Sequence, residues 1–214
     1  MHSQQELEIL YQEPSFVVVS KPGGMLAVPG RGVDKQDCVV TRLQKSLPEC
    51  IAQPAVHRLD MATSGLMVLG LTRLAHRHLS LQFEKRTVVK RYVAVVDGLV
   101  DADTGRIELA FRLDPDNRPH QIYDPEYGKL GITRWRVLQR FKQQTKIEFF
   151  PETGRTHQLR LHSSHRKGLG HPIVGDSLYG DGCRGDQMLL HATGLQFLHP
   201  ETGRVLCFFS SPPF

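Results

Sequence analysis

The strongest constraint on the fold of this chain is how its apolar residues gather into short strand-like runs that do not alternate regularly with helices. Residues 66–71, Leu-Met-Val-Leu-Gly-Leu, form an uncharged run suited to a buried strand. Residues 16–19, Phe-Val-Val-Val, are stopped by Lys-Pro-Gly-Gly, which reads as a strand entering a turn. Further strands are expected at 92–96, 135–138, 147–150, 195–198 and 205–209. Helical spacing joins Val40, Leu43 and Leu47, ending before Pro48, and Ala75, Leu79 and Phe83. A third helix is expected over 157–165, with Thr156 as its N-cap and Arg160 on one face with His157 and Ser164. Strands outnumber helices without βαβ alternation, which points to the α+β class. The expected architecture is a single domain, residues 1–214, on a mixed, largely antiparallel β-sheet flanked by helices and loops. No linker, low-complexity tract or internal repeat divides it.

A chain of 214 residues is long enough to bury one substantial core. No run approaches the roughly 18 apolar residues of a membrane span, and the N-terminus MHSQQELEILYQE lacks the cationic and apolar regions of a secretory signal. A cytoplasmic protein, away from membranes and monomeric, is therefore expected. Cys38, Cys50, Cys183 and Cys207 form no CxxC pair and are expected to be buried or half-buried free thiols. His157, His162, His165 and His171 lack HExxH spacing and intervening carboxylates, so no metal site is expected. Met25, Met61, Met67 and Met188 read as core or near-core filler, and Trp135 as part of a buried strand face. Tyr11, Tyr123 and Tyr127 have packing or surface roles.

The net charge is +5, but its distribution is more telling. Residues 73–91 hold six Lys or Arg and two His against Glu84 alone, and 153–171 hold Arg155, Arg160, Arg166, Lys167 and four His with no acid. Two such segments suit a polyanion, because each neutralised phosphate releases counterions. Set into this background, HRLDMATSG at 57–65 places Asp60 beside His57 and Arg58, directly ahead of the buried run. A second cationic element, TGRTHQLRLH, occupies 153–162. An acid flanked by cations stays ionised near neutral pH, as a nucleophile or base requires. Arginine suits the partner role, since its fork matches a carboxylate and keeps its proton.

HRLDMATSGLMV resembles the catalytic motif of the RluA family of pseudouridine synthases, which isomerise uridine in RNA. VVVSKPGGMLAVPG is similar to that family's N-terminal strand and turn, and KRYVAVVDG to its tyrosine-bearing segment. TGRTHQLRLH with GHPIVGDSLYG resembles its third region, and LLHATGLQFLHPETG its closing strands, so the resemblance runs from about Leu10 to Pro213. NRPHQIYDPEYGKLGITRWRVL is similar to the RluA-like branch, which implies a target in large-subunit ribosomal RNA, a transfer-RNA anticodon stem-loop, or both.

The resemblance implies that Asp60 is the catalytic carboxylate, attacking C1′ or abstracting the 2′ proton, and that Arg160 pairs with it. It implies that Tyr92 stacks on the target base and assists proton removal from C5, and that Arg58 fills the space left by the flipped uridine. Thr63 and Gly65 would shape the Asp60 loop. His57, Lys90, Arg155, His157 and Gln158 are the further RNA-contact candidates. The isomerisation is redox-neutral, so no cofactor is expected. No N-terminal S4-type RNA-binding domain is expected either, leaving recognition to the catalytic domain. Departures from the family pattern are Ser20 before Lys-Pro, Gly131-Ile132, and SSHRKGL after His162, longer and more basic than usual. The last is expected to end the helix differently or to add an RNA contact. A non-catalytic RNA-binding protein or chaperone is the alternative, against which intact Asp60, Tyr92 and Arg160 argue. A hydrolase would require a second carboxylate that does not accompany the motif.

Overall fold

The structure, a computed structural model, describes residues 6–183 and 186–214. Along the chain come β1 (Glu8–Gln12), β2 (Phe16–Lys21), α1 (Val39–Ser46), β3 (Ser64–Gly70), α2 (Arg73–Glu84) and β4 (Val89–Asp97). They are followed by β5 (Thr104–Leu113), β6 (Gln121–Tyr123), β7 (Lys129–Arg140), β8 (Gln144–Pro151), α3 (Gln158–Ser164), β9 (Leu190–Leu198) and β10 (Val205–Phe209). The described residues gather into two compact units, one running to Val89 and resuming at Ala192–Ser211, the other Lys90–His191 with Pro212–Phe214. The α+β class holds in both.

In the first unit the strands run β1-β2-β3-β9, with β10 added on β9. The β1/β2, β2/β3 and β9/β10 pairs are antiparallel. Every residue of β3 is buried, as its uncharged sequence requires. Phe16 and Val18 of β2, Leu66 and Val68 of β3, and Leu195 and Phe197 of β9 form one core with Leu79 of α2 and Val88. Helix α2 lies so close to β3 that a Cβ on Gly70 would meet the His76 Cα at 2.6 Å. Helix α1 is capped by Cys38, whose sulfur accepts from the Thr41 N–H while Thr41 Oγ1 accepts from the Cys38 N–H.

In the second unit the order is β4-β8-β7-β5-β6, and each neighbouring pair is antiparallel. Trp135 is buried in β7 as expected. Strands β1, β5 and β6 went unrecognised in the sequence. In β5 the apolar Ile107, Leu109 and Phe111 alternate with charged or small residues, a period-two pattern diluted by Arg106, Glu108 and Arg112. Strand β6 has only three residues, too few for any periodicity.

The structure corrects three expectations. Thr156 does not cap α3; His157 does, with left-handed backbone (φ 55°) and no side-chain cap bond. Cys38 is buried and Cys50 half-buried, but Cys183 and Cys207 are exposed, Cys207 because edge strand β10 turns Leu206 and Phe208 inward instead. Met67 and Met188 are core residues, whereas Met61 is 52% exposed.

Candidate active site

The Asp60 loop is built around a buried cation. Lys21, at the end of β2, is fully buried, and its Nζ donates to the carbonyls of Pro22 (2.9 Å), Met25 (2.7 Å) and Met61 (3.0 Å). Those three acceptors match the three N–H donors of an ammonium. Burial pushes the lysine down to about 7, while the Asp60 carboxylate pulls it the other way. The Met61 carbonyl also accepts from the Gly24 N–H (2.8 Å), so the Lys-Pro-Gly-Gly turn and the Asp60 loop share one acceptor. The turn closes when the Thr63 N–H donates to the Asp60 carbonyl at 3.1 Å. Buried Leu59 and Thr63 anchor either side, leaving Asp60 half-buried and Arg58 exposed. Gly65 is required directly after: its φ is +110°, and a Cβ there would sit 2.4 Å from the Ala192 carbonyl oxygen.

His57 is fixed in the same unit. Its Nε2 accepts from the Val68 N–H at 3.1 Å, and its ring stacks on Phe83 at 4.3 Å between centroids. This geometry makes His57 a brace between β3, α2 and the Asp60 loop. Lys21 was missed in the sequence because Lys-Pro-Gly-Gly was read only as a strand terminator. The adjacent signal was a lysine ending an apolar run, where its stem is buried and its ammonium must find carbonyls.

Arg160 in α3 belongs to the second unit and is held by a buried acid. Its Nε and Nη2 donate to the two carboxylate oxygens of Asp176 at 2.8 and 2.6 Å, with Arg160 4% exposed and Asp176 fully buried. Asp176 also accepts from the Leu178 and Tyr179 N–H groups. Burial alone would push its carboxyl up, but the Arg160 hydrogen bonds and charge, with those two amides, hold it below the usual range. The guanidinium lies 5.3 Å over the Tyr179 ring. The Tyr179 hydroxyl accepts from the Gln121 N–H at 2.7 Å and lies 2.9 Å from His157 Nδ1. The Asp176–Tyr179 turn thus orients Arg160, His157 and the start of β6 together. GDSLYG carried the signal, an acid with an aromatic three residues on, but no neighbouring residue marked its partner.

The other candidates of this unit differ in what they have left to offer. The side-chain oxygen of Gln158 accepts from Thr153 Oγ1 (2.7 Å) and the Arg155 N–H (3.0 Å). Its amide nitrogen donates to the Ile132 carbonyl (3.0 Å) and Thr133 Oγ1 (2.9 Å). With all four capacities used, Gln158 is a splint between α3 and β7. Arg155 is half-buried, and its Nε is buried without a hydrogen-bond partner among the described residues. Lys90 reaches the same loop, its Nζ 3.5 Å from the Thr153 carbonyl. Tyr92 is half-buried in β4, paired in register with Phe149 of β8. Among the described residues no group of three or more His, Cys, Asp or Glu is placed to hold a metal ion, and no helix is long and apolar enough to cross a membrane.

Comparison with known proteins gives the chain a family. The RNA pseudouridylate synthase family profile matches residues 15–165. The dual-specificity RNA pseudouridine synthase RluA of Escherichia coli (strain K12) is 41% identical over 212 residues, covering 97% of this chain and 94% of that protein. The protein of the same name from Haemophilus influenzae is 40% identical, with the same shares covered. The solved structure of human RNA pseudouridylate synthase domain containing 1 superposes with a TM-score of 0.81 at 29% identity, covering 100% of this chain and 86% of that one. The chain therefore belongs to the RNA pseudouridylate synthase family, whose chemistry is isomerisation.

Proposed function

We propose that this protein is a single-domain RNA pseudouridine synthase that converts specific uridines in large-subunit ribosomal RNA and a transfer-RNA anticodon stem-loop, with Asp60 as the catalytic carboxylate. Its relatives are named for dual specificity, and their length is matched almost completely. The observation that carries the assignment is the Asp60 turn, tied through Met61 to a buried ammonium and delivered at the head of the fully buried β3. A rigid mount of this kind places a carboxylate without reorganisation when substrate arrives.

In the reaction the C1′–N1 bond of the flipped uridine breaks, the uracil turns, and a C1′–C5 bond forms. The C5 proton leaves and N1 gains one, so the product is an isomer. Asp60 acts on the sugar, by attack at C1′ or by removing the 2′ proton. Tyr92 stacks on the uracil and assists loss of the C5 proton. Arg160, held by Asp176, is the partner of Asp60 that the family motif implies. Extruding the base costs about a few kcal/mol, offset by Arg58 stacking in the vacated space and by Lys90, Arg155 and His157 contacts. The protein works in the cytoplasm as a monomer and needs no cofactor.

The test is tritium release from C5-labelled uridine in RNA. Wild type releases tritium with the backbone intact. Asp60→Asn and Asp60→Ala bind the RNA but lose release by at least about a thousandfold, in line with loss of a covalent or general-base group. Full turnover by either variant would overturn the assignment, and release of free uracil would indicate hydrolysis.

A further inference from the structure

The segment following α3 holds two adjacent cations with no internal counter-charge. Arg166 and Lys167 are exposed, and neither makes an ion pair among the described residues. The arginines of β5 and β7 behave otherwise. Arg106, Arg112, Arg134, Arg136 and Arg140 each meet a carboxylate. The turn is nevertheless tightly built. The His162 carbonyl accepts from the Leu169 N–H (2.9 Å), the His165 carbonyl from the Gly168 N–H (2.7 Å), and the Ser163 carbonyl from the His171 N–H (2.8 Å). Gly168 is forced by this packing, since a Cβ would fall 2.0 Å from the His162 carbonyl oxygen. Lys167 Nζ rests 5.2 Å over the Tyr123 ring, which in turn lies 5.1 Å from the His165 ring. Burial and then the two cations push His165 below its usual value.

Adjacent like charges repel, and ordering a lysine costs side-chain entropy. A turn that accepts both without a carboxylate is organised for an anion outside the chain. We propose that residues 165–167 with Tyr123 form an accessory RNA-phosphate contact, in which Arg166 takes a phosphate by its fork and Lys167, steadied on Tyr123, a neighbouring one. This rests on the RNA reading above and adds a recognition element in a stretch where the sequence departs from the family pattern.

The experiment measures RNA affinity against salt for the full chain on its RNA substrate. Each phosphate contact contributes about 0.7 to 0.9 to the slope of log K against log salt. Arg166→Ala with Lys167→Ala is expected to flatten the slope by about 1.5 and to weaken binding about tenfold at moderate salt, with melting temperature retained. Tyr123→Leu is expected to weaken binding by about threefold. Lys142→Ala, removing one charge from the exposed turn between β7 and β8, serves as the control and should leave the slope in place. An unaltered slope in the double variant, or an equal loss per charge from Lys142→Ala, overturns the contact. Tritium release by wild type is scored separately, so a failed contact is distinguishable from a failed enzymatic reading.

Discussion

The two units mount their key residues by opposite means. In one, a buried lysine steadies the loop that carries an acid; in the other, a buried aspartate steadies the helix that carries an arginine. The lysine is surrounded by carbonyl dipoles, which satisfy its hydrogen bonds without cancelling its charge, so burial pulls it down to about 7. The aspartate meets a full guanidinium and two amide N–H groups, so it stays ionised despite burial. Dipoles orient a charge but leave it vulnerable to titration, whereas a bidentate ion pair resists it.

The largest expected effect tests the ion pair. Asp176→Ala should destabilise the protein by about 3 to 5 kcal/mol, because the buried Arg160 guanidinium loses its bidentate carboxylate partner. Asp176→Asn, which keeps the shape, should recover part of that loss in chemical denaturation. Equal stability of wild type and Asp176→Ala would erase the contrast between the units.

Next comes the dipole-held cation. Lys21→Met takes the ammonium donor from the carbonyls of Pro22, Met25 and Met61, the last of which keeps its Gly24 N–H bond, and should cost about 3 kcal/mol. Lys21 binds its proton more weakly when folded than when unfolded. Between about pH 7 and its ordinary 10.5 the unfolded chain therefore holds more protons, and this group adds stability as pH rises. A stability-against-pH curve from 7 to 10 should lose that slope in Lys21→Met. An identical slope in the variant would mean that the ammonium is not buried as described.

A buried histidine adds an acid limb in the second unit. His162 is fully buried with both ring nitrogens unpartnered among the described residues, its ring edge-on to Phe111, and burial lowers it to about 4. The unfolded chain then binds the extra proton from about pH 6.5 downward, so stability falls as pH drops from 6.5 towards 4. His162→Leu should remove on the order of 2 kcal/mol of that loss at pH 4.5. Thermal melts at pH 7 and 4.5 separate this from a general loss of packing.

The smallest effect sharpens the contrast from outside. Arg106 and Glu108, both about half-exposed, pair at 2.6 Å on the surface of β5. Arg106→Ala should cost less than about 1 kcal/mol, since water screens an exposed pair. A cost matching Asp176→Ala would show that burial does not separate the two cases.

Much of this was legible along the chain. The runs at 16–19, 66–71 and 205–209 became strands because β-branched and aromatic residues bounded by turn formers have few other options. The spacing of Ala75, Leu79 and Phe83 marked the face of α2, and HRLDMATSG singled out Asp60 as the residue to mount. The diluted alternation of β5 and the brevity of β6 hid those strands. Thr156 was a reasonable cap on composition, yet the backbone takes its left-handed turn one residue later, at His157.

By itself, then, the amino-acid order determined the α+β class, the acid and arginine placed at candidate positions, and the family to which the motifs pointed. Only the tertiary structure decided which charge holds which. Lys21 meets the Met61 carbonyl across 40 residues, and Arg160 meets Asp176 across 16. Propensity and periodicity act between neighbours in sequence, but Coulomb attraction and hydrogen bonding act between neighbours in space, and folding chooses those.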